Sequence, residues 1–420
     1  MGAGSSLTNV AITAPSVAPS SGGVTCDSGE ITLNNVELSG STQGAIGLDI
    51  EGTCQLRATD LNVHDFDGTG VKFASTSTLE SLVDGGAVKG CGAVPVAGVL
   101  NSGLLIASGK VSLNLLVDSN TGNGVEVRDG EVTLAGLMTN NGSVGSSVPG
   151  ALVISGGSVV VPGGLNITNT QGNGVAISGG SLIADSLTVT GNKQNGIYMA
   201  DGGGSLQVTT ELTASNNTQT GVRVSGGNVQ VSGDLICKSN GNGGSTSAGL
   251  YVEGGSFAAS GGSLSTIGSN TGSGALVTNG SLSLTGMTLT TNGSNGLKFA
   301  PTLGGTGQVM LTQVTVTNNG TGLYLAGNPS LTANVVVLNS VITTNTGRGV
   351  DISGGTFASF VNTQITNNSL RGISGSGTGT LMLATVTVAG NGGDGIDVND
   401  TMVLGMNDCD INSNGGSGLF

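Results

Sequence analysis

The stretch "TNNGTGLYLAGN", residues 317–328, decides the fold. Its centre, Leu323-Tyr324-Leu325, reads as a short strand, yet glycine and asparagine crowd both sides. Glycine loses more conformational entropy on folding than any other residue, and this chain has 79 glycines in 420 residues. A strand in such surroundings makes sense if the glycines and asparagines occupy fixed corners that recur along the chain.

The pattern does recur, as a glycine followed by an apolar-x-apolar triplet. It takes 14 steps to cover the 348 residues from the first to the last copy, about 25 residues a step. Each unit then continues with a Gly-Gly turn, two further apolar stretches and an Asn-rich turn, which predicts one coil of a parallel β-solenoid. One coil cannot bury its apolar side chains, but stacked coils can. The landmark glycines are Gly70, Gly103, Gly124, Gly150, Gly174, Gly196, Gly221, Gly249, Gly274, Gly296, Gly322, Gly349, Gly372, Gly395 and Gly418.

Two columns of side chains follow from stacking these units. The inward positions of the first strand, such as Leu323/Leu325 and Val350/Ile352, form an aliphatic core. Four residues before the landmark glycine, an asparagine recurs, which we interpret as a corner in the left-handed conformation whose amide bonds its counterpart in the next coil. This predicts a structural ladder of Asn120, Asn192, Asn217, Asn270, Asn292, Asn318, Asn345, Asn368, Asn391 and Asn414.

The units resemble those of right-handed parallel β-helix repeat proteins of the pectin-lyase-like superfamily, including its Gly/Asn-rich bacterial surface members. The predicted fold is therefore all-β, a right-handed parallel β-helix of about 15–16 coils with three short strands per coil. The resemblance covers residues 24–420 as one domain, and residues 1–23 would be an N-terminal extension or cap. At ~4.8 Å per coil the solenoid would be a rod of roughly 70–75 Å.

Composition narrows the choice of partner and location. Only 9% of residues are charged, the net charge is −14 and the sequence pI is about 4.2, which argues against nucleic acid or an anionic membrane as partner. No apolar run reaches the ~18 residues that a membrane span needs. We expect a secreted or cell-surface β-solenoid that acts as a structural or adhesive rod and contacts carbohydrate, and the resemblance implies polysaccharide or another cell-surface protein as partner.

The outward position of the first strand suggests a binding face. All three tyrosines of the chain fall in this column, together with several of its scarce charges. An aromatic face beside charged side chains is suited to sugars, although tyrosine also simply favours strand positions. The predicted ligand-binding residues are Tyr198, Arg223, Tyr251, Lys298 and Tyr324.

The sequence leaves catalysis open. The resemblance includes polysaccharide lyases and glycoside hydrolases, but the Asn-Thr-Asp, Asp-Asp, Gly-His-Gly and Arg-Ile-Lys motifs of polygalacturonase-like members are absent. Asp351 and Asp397 lie two coils apart in the outward column, roughly 9–10 Å, near the roughly 6.5–9.5 Å separation of inverting glycosidases. Arg371, between them, is suited to a uronate carboxylate. The alternative is that these are solvated charges on a strand face.

Metal and cysteine chemistry give weaker signals. No cofactor is required by the pattern, and the calcium candidates are Asp65 and Asp67, because "DFDG" echoes part of a carboxylate loop. Cys26 and Cys54 fall on neighbouring coils but on different strands, so a disulfide between them is compatible with the repeat and stays open.

The sequence ends at Leu419-Phe420, within a predicted strand. An open strand edge pairs readily with another chain. We therefore carry two expectations, a fragment of a longer protein or a subunit that stacks end to end on its own copies as a filament.

Overall fold

The computed structural model describes residues 4–14, 23–40, 45–93, 102–142, 150–242, 244, 247–302, 307–327 and 334–420. Within these ranges the regular structure is β-strand alone, and none of it is a helix capable of crossing a membrane. The chain divides into two compact units, residues 1–208 and 209–420. Each unit is a parallel β-solenoid.

The described residues of unit 1 form eight coils, counted by their first strands. These are the start of β2, the start of β3, and then β4, β6, β8, β10, β12 and β14, paired in parallel from coil to coil. The strands are β1 (Ser5–Ala14), β2 (Val24–Gly40), β3 (Leu48–His64), β4 (Val71–Ser75), β5 (Ser81–Lys89), β6 (Ser102–Ser108), β7 (Lys110–Asp118), β8 (Asn123–Val127), β9 (Glu131–Thr139), β10 (Gly150–Ile154), β11 (Ser158–Thr168), β12 (Asn173–Ile177), β13 (Ser181–Thr190) and β14 (Ile197–Met199). Strand β15 (Ser205–Ser215) runs across the division.

Unit 2 contains eight coils of three strands each, in strict order. The first strands are β16 (Val222–Val224), β19 (Ala248–Val252), β22 (Ser273–Val277), β25 (Asn295–Phe299), β28 (Thr321–Gly327), β31 (Val350–Gly354), β34 (Ile373–Ser376) and β37 (Ile396–Val398). The second strands are β17 (Asn228–Val231), β20 (Ser256–Ser260), β23 (Gly280–Thr285), β26 (Gly307–Thr312), β29 (Asn334–Leu338), β32 (Phe357–Val361), β35 (Thr380–Ala384) and β38 (Val403–Asn407). The third strands are β18 (Asp234–Lys238), β21 (Thr266–Gly268), β24 (Thr288–Thr290), β27 (Thr315–Thr317), β30 (Val341–Thr343), β33 (Gln364–Thr366), β36 (Thr387–Ala389) and β39 (Asp410–Asn412).

The predicted fold class is confirmed, with one difference in unit 1. There the second and third strands are joined into single strands such as β5 and β7, and the corner is a bulge at which the register shifts between Asp84 and Ala87. In unit 2 a left-handed residue such as Gln313 or Asn339 separates the two strands. A bulge bends a strand without ending it, so the number of strands per coil differs while the coil remains.

The interior is the aliphatic column that the repeat predicts. Leu323, Leu325, Val350 and Ile352 are buried, and each lies beside its counterpart in the next coil. Burying one such side chain contributes roughly 1.5–3 kcal/mol. Because a single coil offers each residue no partner above or below, this energy is available only to stacked coils.

The landmark glycine is explained by close approach of backbones. A Cβ on Gly349 would come 2.6 Å from the carbonyl oxygen of Gly372, the same glycine one coil on. No side chain fits at that distance, so the position is restricted to glycine by packing rather than by a left-handed φ.

Residues 5–14 belong to the sheet. Strand β1 pairs in parallel with β2 over nine positions, from Ser5 opposite Ile31 to Ala14 opposite Gly40. The predicted N-terminal extension, residues 1–23, therefore includes a strand of the solenoid, and residues 1–3 and 15–22 lie outside the described ranges.

Candidate functional site

The outward column of the first strand in unit 2 brings together four of the five predicted ligand-binding residues. Register places consecutive members side by side on neighbouring coils. In chain order they are Arg223, Tyr251, Leu276, Lys298, Tyr324, Asp351, Ser374 and Asp397. The fifth predicted residue, Tyr198, lies half-buried in unit 1, where it pairs with Ala176.

Tyr251 is an outward residue that is nevertheless buried, with 7% of its surface exposed. It packs with Ala248 and Leu276 in an apolar cluster on the outside of the sheet. The Arg223 guanidinium carbon lies 5.6 Å from the centroid of its ring, and the Thr278 hydroxyl donates to Tyr251 Oη at 3.4 Å. Burial raises the pKa of the Tyr251 phenol. Tyr251 therefore has a structural role in this part of the surface.

Arg223 is likewise engaged by its neighbours. Its Nη2 lies 2.7 Å from Glu253 Oε1, and its Nε donates to the same oxygen at 2.8 Å. Ser225 also bonds this carboxylate. The sequence did not reveal this arrangement, because Glu253 lies two residues beyond Tyr251 rather than in the same column.

Tyr324 is the more accessible aromatic residue of the column, and its surroundings differ from those of Tyr251. Lys298 Nζ lies 5.8 Å from the centroid of its ring, and Asp351 is its register partner on the next coil. All three side chains are partly exposed. We call Lys298, Tyr324 and Asp351 the Tyr324 patch. It presents a ring face with a cation on one side and a carboxylate on the other.

The residues predicted as catalytic have the predicted spacing along the outward column, but each of them forms an ion pair. Asp351 and Asp397 are two coils apart, with Ser374 between them. Arg348 Nη1 donates to Asp351 Oδ2 at 2.7 Å, and Arg371 Nε lies 3.0 Å from Asp397 Oδ2. Asp397 is only 2% exposed.

Arg371 holds two carboxylates of its own chain. Besides Asp397, its Nε donates to Asp394 Oδ2 at 3.1 Å, and that hydrogen bond lowers the pKa of the Asp394 carboxyl. Asp397 accepts a further hydrogen bond from Asn399 Nδ2 at 2.8 Å. Arg371, which the sequence suggested for a substrate uronate, thus has its Nε directed at carboxylates of its own chain.

The first-strand face of unit 1 pairs its charges in the same way. Lys72 Nζ lies 3.2 Å from Asp49 Oδ1 and also bonds Glu51. Burial raises the pKa of the Asp49 carboxyl despite the lysine, whereas the Lys72 hydrogen bond lowers the pKa of the partly exposed Glu51 carboxyl. Glu126, 9% exposed, accepts from Ser102 Oγ at 2.8 Å and from Arg128 Nε at 2.7 Å. The sequence reasoning missed these clusters.

The asparagine ladder is a chain of buried amides, each with its hydrogen-bonding groups engaged. Asn345 shows the pattern: its Nδ2 donates to Asn368 Oδ1 at 2.9 Å and to the Val316 carbonyl at 3.2 Å. Its Oδ1 accepts from the backbone N–H and the Nδ2 of Asn319, at 3.0 and 3.1 Å. In unit 2 the ladder runs through Asn217, Asn240, Asn270, Asn292, Asn319, Asn345, Asn368, Asn391 and Asn414.

In unit 1 the ladder column is less regular. Asn120 donates to Asn141 at 2.9 Å, and Asn192 accepts from the backbone N–H of Thr170 at 3.0 Å. The Oγ1 of Thr170 is buried without a hydrogen-bond partner. Cys91 takes the ladder position one coil before Asn120. Its backbone N–H donates to Asn120 Oδ1 at 3.0 Å.

The prediction of Asn318 as a rung is wrong, and the rung is Asn319. Asn318 is exposed and has a φ of 58°, while Asn319 is buried. The left-handed corner therefore precedes the rung along the ladder, as Thr344 with its φ of 58° precedes Asn345. Counting four back from glycine failed here and missed Asn141 and Asn240, because the spacing from rung to glycine varies.

The predicted calcium ligands are not brought into a metal site. Asp65 lies at a left-handed corner, and its Oδ2 is 2.8 Å from His64 Nδ1. His64 Nε2 is 2.9 Å from Glu37 Oε1, and these carboxylate hydrogen bonds raise the pKa of His64. Across the described ranges, no group of three or more His, Cys, Asp or Glu side chains is arranged to hold a metal ion.

The cysteines divide into a disulfide and three free thiols. Cys26 and Cys54 are bonded, with their Cα atoms 5.9 Å apart, which answers the question that the repeat left open. Cys91 and Cys237 are buried, and burial raises the pKa of each thiol to about 12. Cys409 is partly exposed.

Comparison with known proteins supports the fold over part of the chain. Residues 302–420, within unit 2, match the family described as a right-handed beta helix region. This match and the parallel solenoid confirm the resemblance drawn from the repeats. No curated protein and no solved structure matches the chain.

Proposed function

On the premise that the chain is a right-handed parallel β-helix repeat protein, we propose that it is a secreted or cell-surface β-solenoid with a structural or adhesive role that contacts carbohydrate. Fold alone does not give function, so the proposal rests on what the side chains of the two units do.

The proposal rests mainly on the ion pairs that the few charged side chains form with one another. On the first-strand face of unit 2, Arg223, Arg348 and Arg371 each lie within 3.1 Å of a carboxylate of the same chain. A general acid or base must reach the substrate and exchange a proton with it. A carboxylate that already binds an arginine of its own chain is not free to contact the substrate. This arrangement favours a structural or binding surface over a catalytic one.

The Tyr324 patch supports contact with carbohydrate. A pyranose presents C–H groups on its face and hydroxyls at its edge, so it can stack on the Tyr324 ring while its hydroxyls reach Lys298 and Asp351. Tyr251 lacks this role because it is only 7% exposed and packs with Ala248 and Leu276. Of the five residues predicted to bind a ligand, Lys298 and Tyr324 therefore remain, and Asp351 joins them.

The disulfide supports an extracytoplasmic location. Disulfides form and persist in oxidising compartments and are rare in the cytosol of mesophiles, and Cys26 and Cys54 are bonded within unit 1. The net charge of −14 also suits a protein that stays apart from anionic surfaces.

One observation favours a polysaccharide lyase or glycoside hydrolase as the second candidate. Asp351 and Asp397 keep the two-coil spacing that predicted an acid–base pair, and Ser374 between them is small. For this function the ion pairs with Arg348 and Arg371 would have to open when substrate binds.

Binding and product release, measured together, separate the two candidates. The protein is passed through gels that contain acidic polysaccharides, and the same mixtures are assayed for new reducing ends and for the ultraviolet absorbance of unsaturated products. We expect retardation that Tyr324→Ala weakens, with no product. Tyr251→Phe is the matched control, because it keeps the buried ring and should bind as the native chain does. Product formation that Asp351→Asn or Asp397→Asn abolishes would establish the enzyme instead.

A further inference from the structure

The outward face of five successive second strands in unit 2 carries large exposed apolar side chains among polar ones. Its largest exposed side chains are Met310, Phe357, Val361 and Met382, between 37% and 46% exposed. Register aligns Met310 with Val336 on the next coil, and Phe357 with Asn334. We call the outward residues of β23, β26, β29, β32 and β35 the apolar face. Apolar patches rimmed by polar residues mark interaction sites when they exceed roughly a few hundred Å².

The apolar face carries no charge. None of the five strands contains Asp, Glu, Lys, Arg or His. The fold does not impose this, because the same strand position in unit 1 is charged: Lys110 of β7 and Glu131 of β9 form an ion pair of 2.9 Å beside the exposed Val160. The loss of charge is therefore a property of unit 2 and not of second strands in general.

The apolar face also contains a depression of about 380 Å³. Its outward lining is Ser281, Ser283, Gln308, Met310, Asn334 and Val336. Methionine and valine give it an apolar floor, while two carboxamides and two hydroxyls supply donors and acceptors. This mixture suits a ligand that is itself apolar on one side and rich in hydroxyls on the other.

We propose that the apolar face binds an uncharged polysaccharide. A charged ligand would lose its hydration here without gaining an ion pair, which is costly, so acidic glycans and basic protein surfaces are poor occupants. A neutral sugar chain places its C–H faces on Met310 and Val336 and its hydroxyls against Gln308 and Asn334. The inference assigns a different face and a different glycan class from the Tyr324 patch, and it stands independently of the proposed function.

The competing occupant is a second copy of this chain, but the apolar face is too small for a stable dimer interface. Five strands that are spaced about 4.8 Å apart, each five residues long at about 3.3 Å per residue, cover an area on the order of 400 Å². A stable protein interface buries about 800 Å² on each partner. The face is thus half the size that a stable dimer needs, whereas a single polysaccharide chain needs no such area.

The test uses the full chain and an array of uncharged and acidic polysaccharides, with dissociation constants then measured in solution for those retained. We expect binding to at least one uncharged polysaccharide. Met310→Lys should weaken it at least about tenfold, because it puts an unpaired cation under the sugar. Val160→Lys, the matched change on the second-strand face of unit 1, should leave binding within about twofold, as should Tyr324→Ala. Circular dichroism checks that each variant is folded.

Three results would overturn the inference. One is binding to no uncharged polysaccharide across the array. Another is binding that Met310→Lys and Gln308→Ala both leave intact. The last is a concentration-dependent dimer in sedimentation that Met310→Lys dissociates, which would make the second copy the occupant. Loss of binding on Tyr324→Ala alone would favour the Tyr324 patch over the apolar face, so the two proposals fail separately.

Discussion

Replacing Asn319 by alanine tests the ladder at the position where sequence and structure disagree. In the folded chain, Asn319 Oδ1 accepts from the backbone N–H of Asn292 at 3.0 Å and from Asn292 Nδ2 at 2.9 Å. Its own Nδ2 donates to the Leu289 carbonyl and to Asn345 Oδ1. Asn319→Ala therefore leaves two donors of Asn292, which is 3% exposed, without a hydrogen-bond partner.

The expected loss of stability follows from these two unpaired donors. Each buried donor left without a partner costs ~1–3 kcal/mol, so the variant should lose roughly 2–6 kcal/mol of local stability. The matched control is Asn318→Gly at the neighbouring exposed corner. Glycine adopts the φ of 58° without steric cost, so the control should change stability by less than about 1 kcal/mol.

The assay must be local, because a solenoid can open coil by coil rather than all at once. Amide hydrogen exchange of the segment around Asn292 reports the free energy of that opening. We expect much faster exchange in Asn319→Ala and nearly unchanged exchange in Asn318→Gly. Equal effects from both variants would refute the ladder as described, and the reverse order would restore Asn318 as the rung.

Three further predictions concern unit 1 and the thiols. Reducing the Cys26–Cys54 bond, which closes a loop with a sequence separation of 28, should cost about 3–4 kcal/mol by the chain-entropy relation; unchanged exchange near β2 and β3 after reduction would contradict this. Because the hydrogen bonds that His64 donates to Asp65 and Glu37 raise its folded pKa above 6.5, its stabilising effect should be full below pH 6.5 and lost as the pH rises through the folded value. An NMR titration of this single histidine should show that Glu37→Gln lowers its pKa, and an unmoved titration would count against the contact. Iodoacetamide should label Cys409 in the folded chain and spare the buried Cys237, whose pKa is about 12; early labelling of Cys237 would show that its coil is open.

The repeat predicted the fold because its signals are local and periodic. A landmark glycine, two aliphatic inward positions and a corner asparagine recur often enough that one irregular coil does not obscure them. The rung at Asn319 was misplaced because two asparagines are adjacent and the count from glycine is not constant. Only the backbone conformation shows that Asn318 turns the corner and Asn319 carries the amide.

The site was less predictable because its chemistry depends on contacts between coils. Periodicity placed Tyr251 and Tyr324 in one outward column, but it could not distinguish them. Tyr251 is buried because Ala248 and Leu276 lie beside it on the outside of the sheet, and Tyr324 is not. In the same way, sequence spacing aligned Asp351 and Asp397 but did not show that arginines hold both.

The proposed function is tested most directly by assaying one protein sample for polysaccharide retention and product release. A binding, non-catalytic solenoid predicts retention that Tyr324→Ala weakens, while Asp351→Asn and Asp397→Asn yield no difference in product, because none is formed. Product release by the native chain that either aspartate variant abolishes would contradict the account and assign the first-strand face of unit 2 to catalysis.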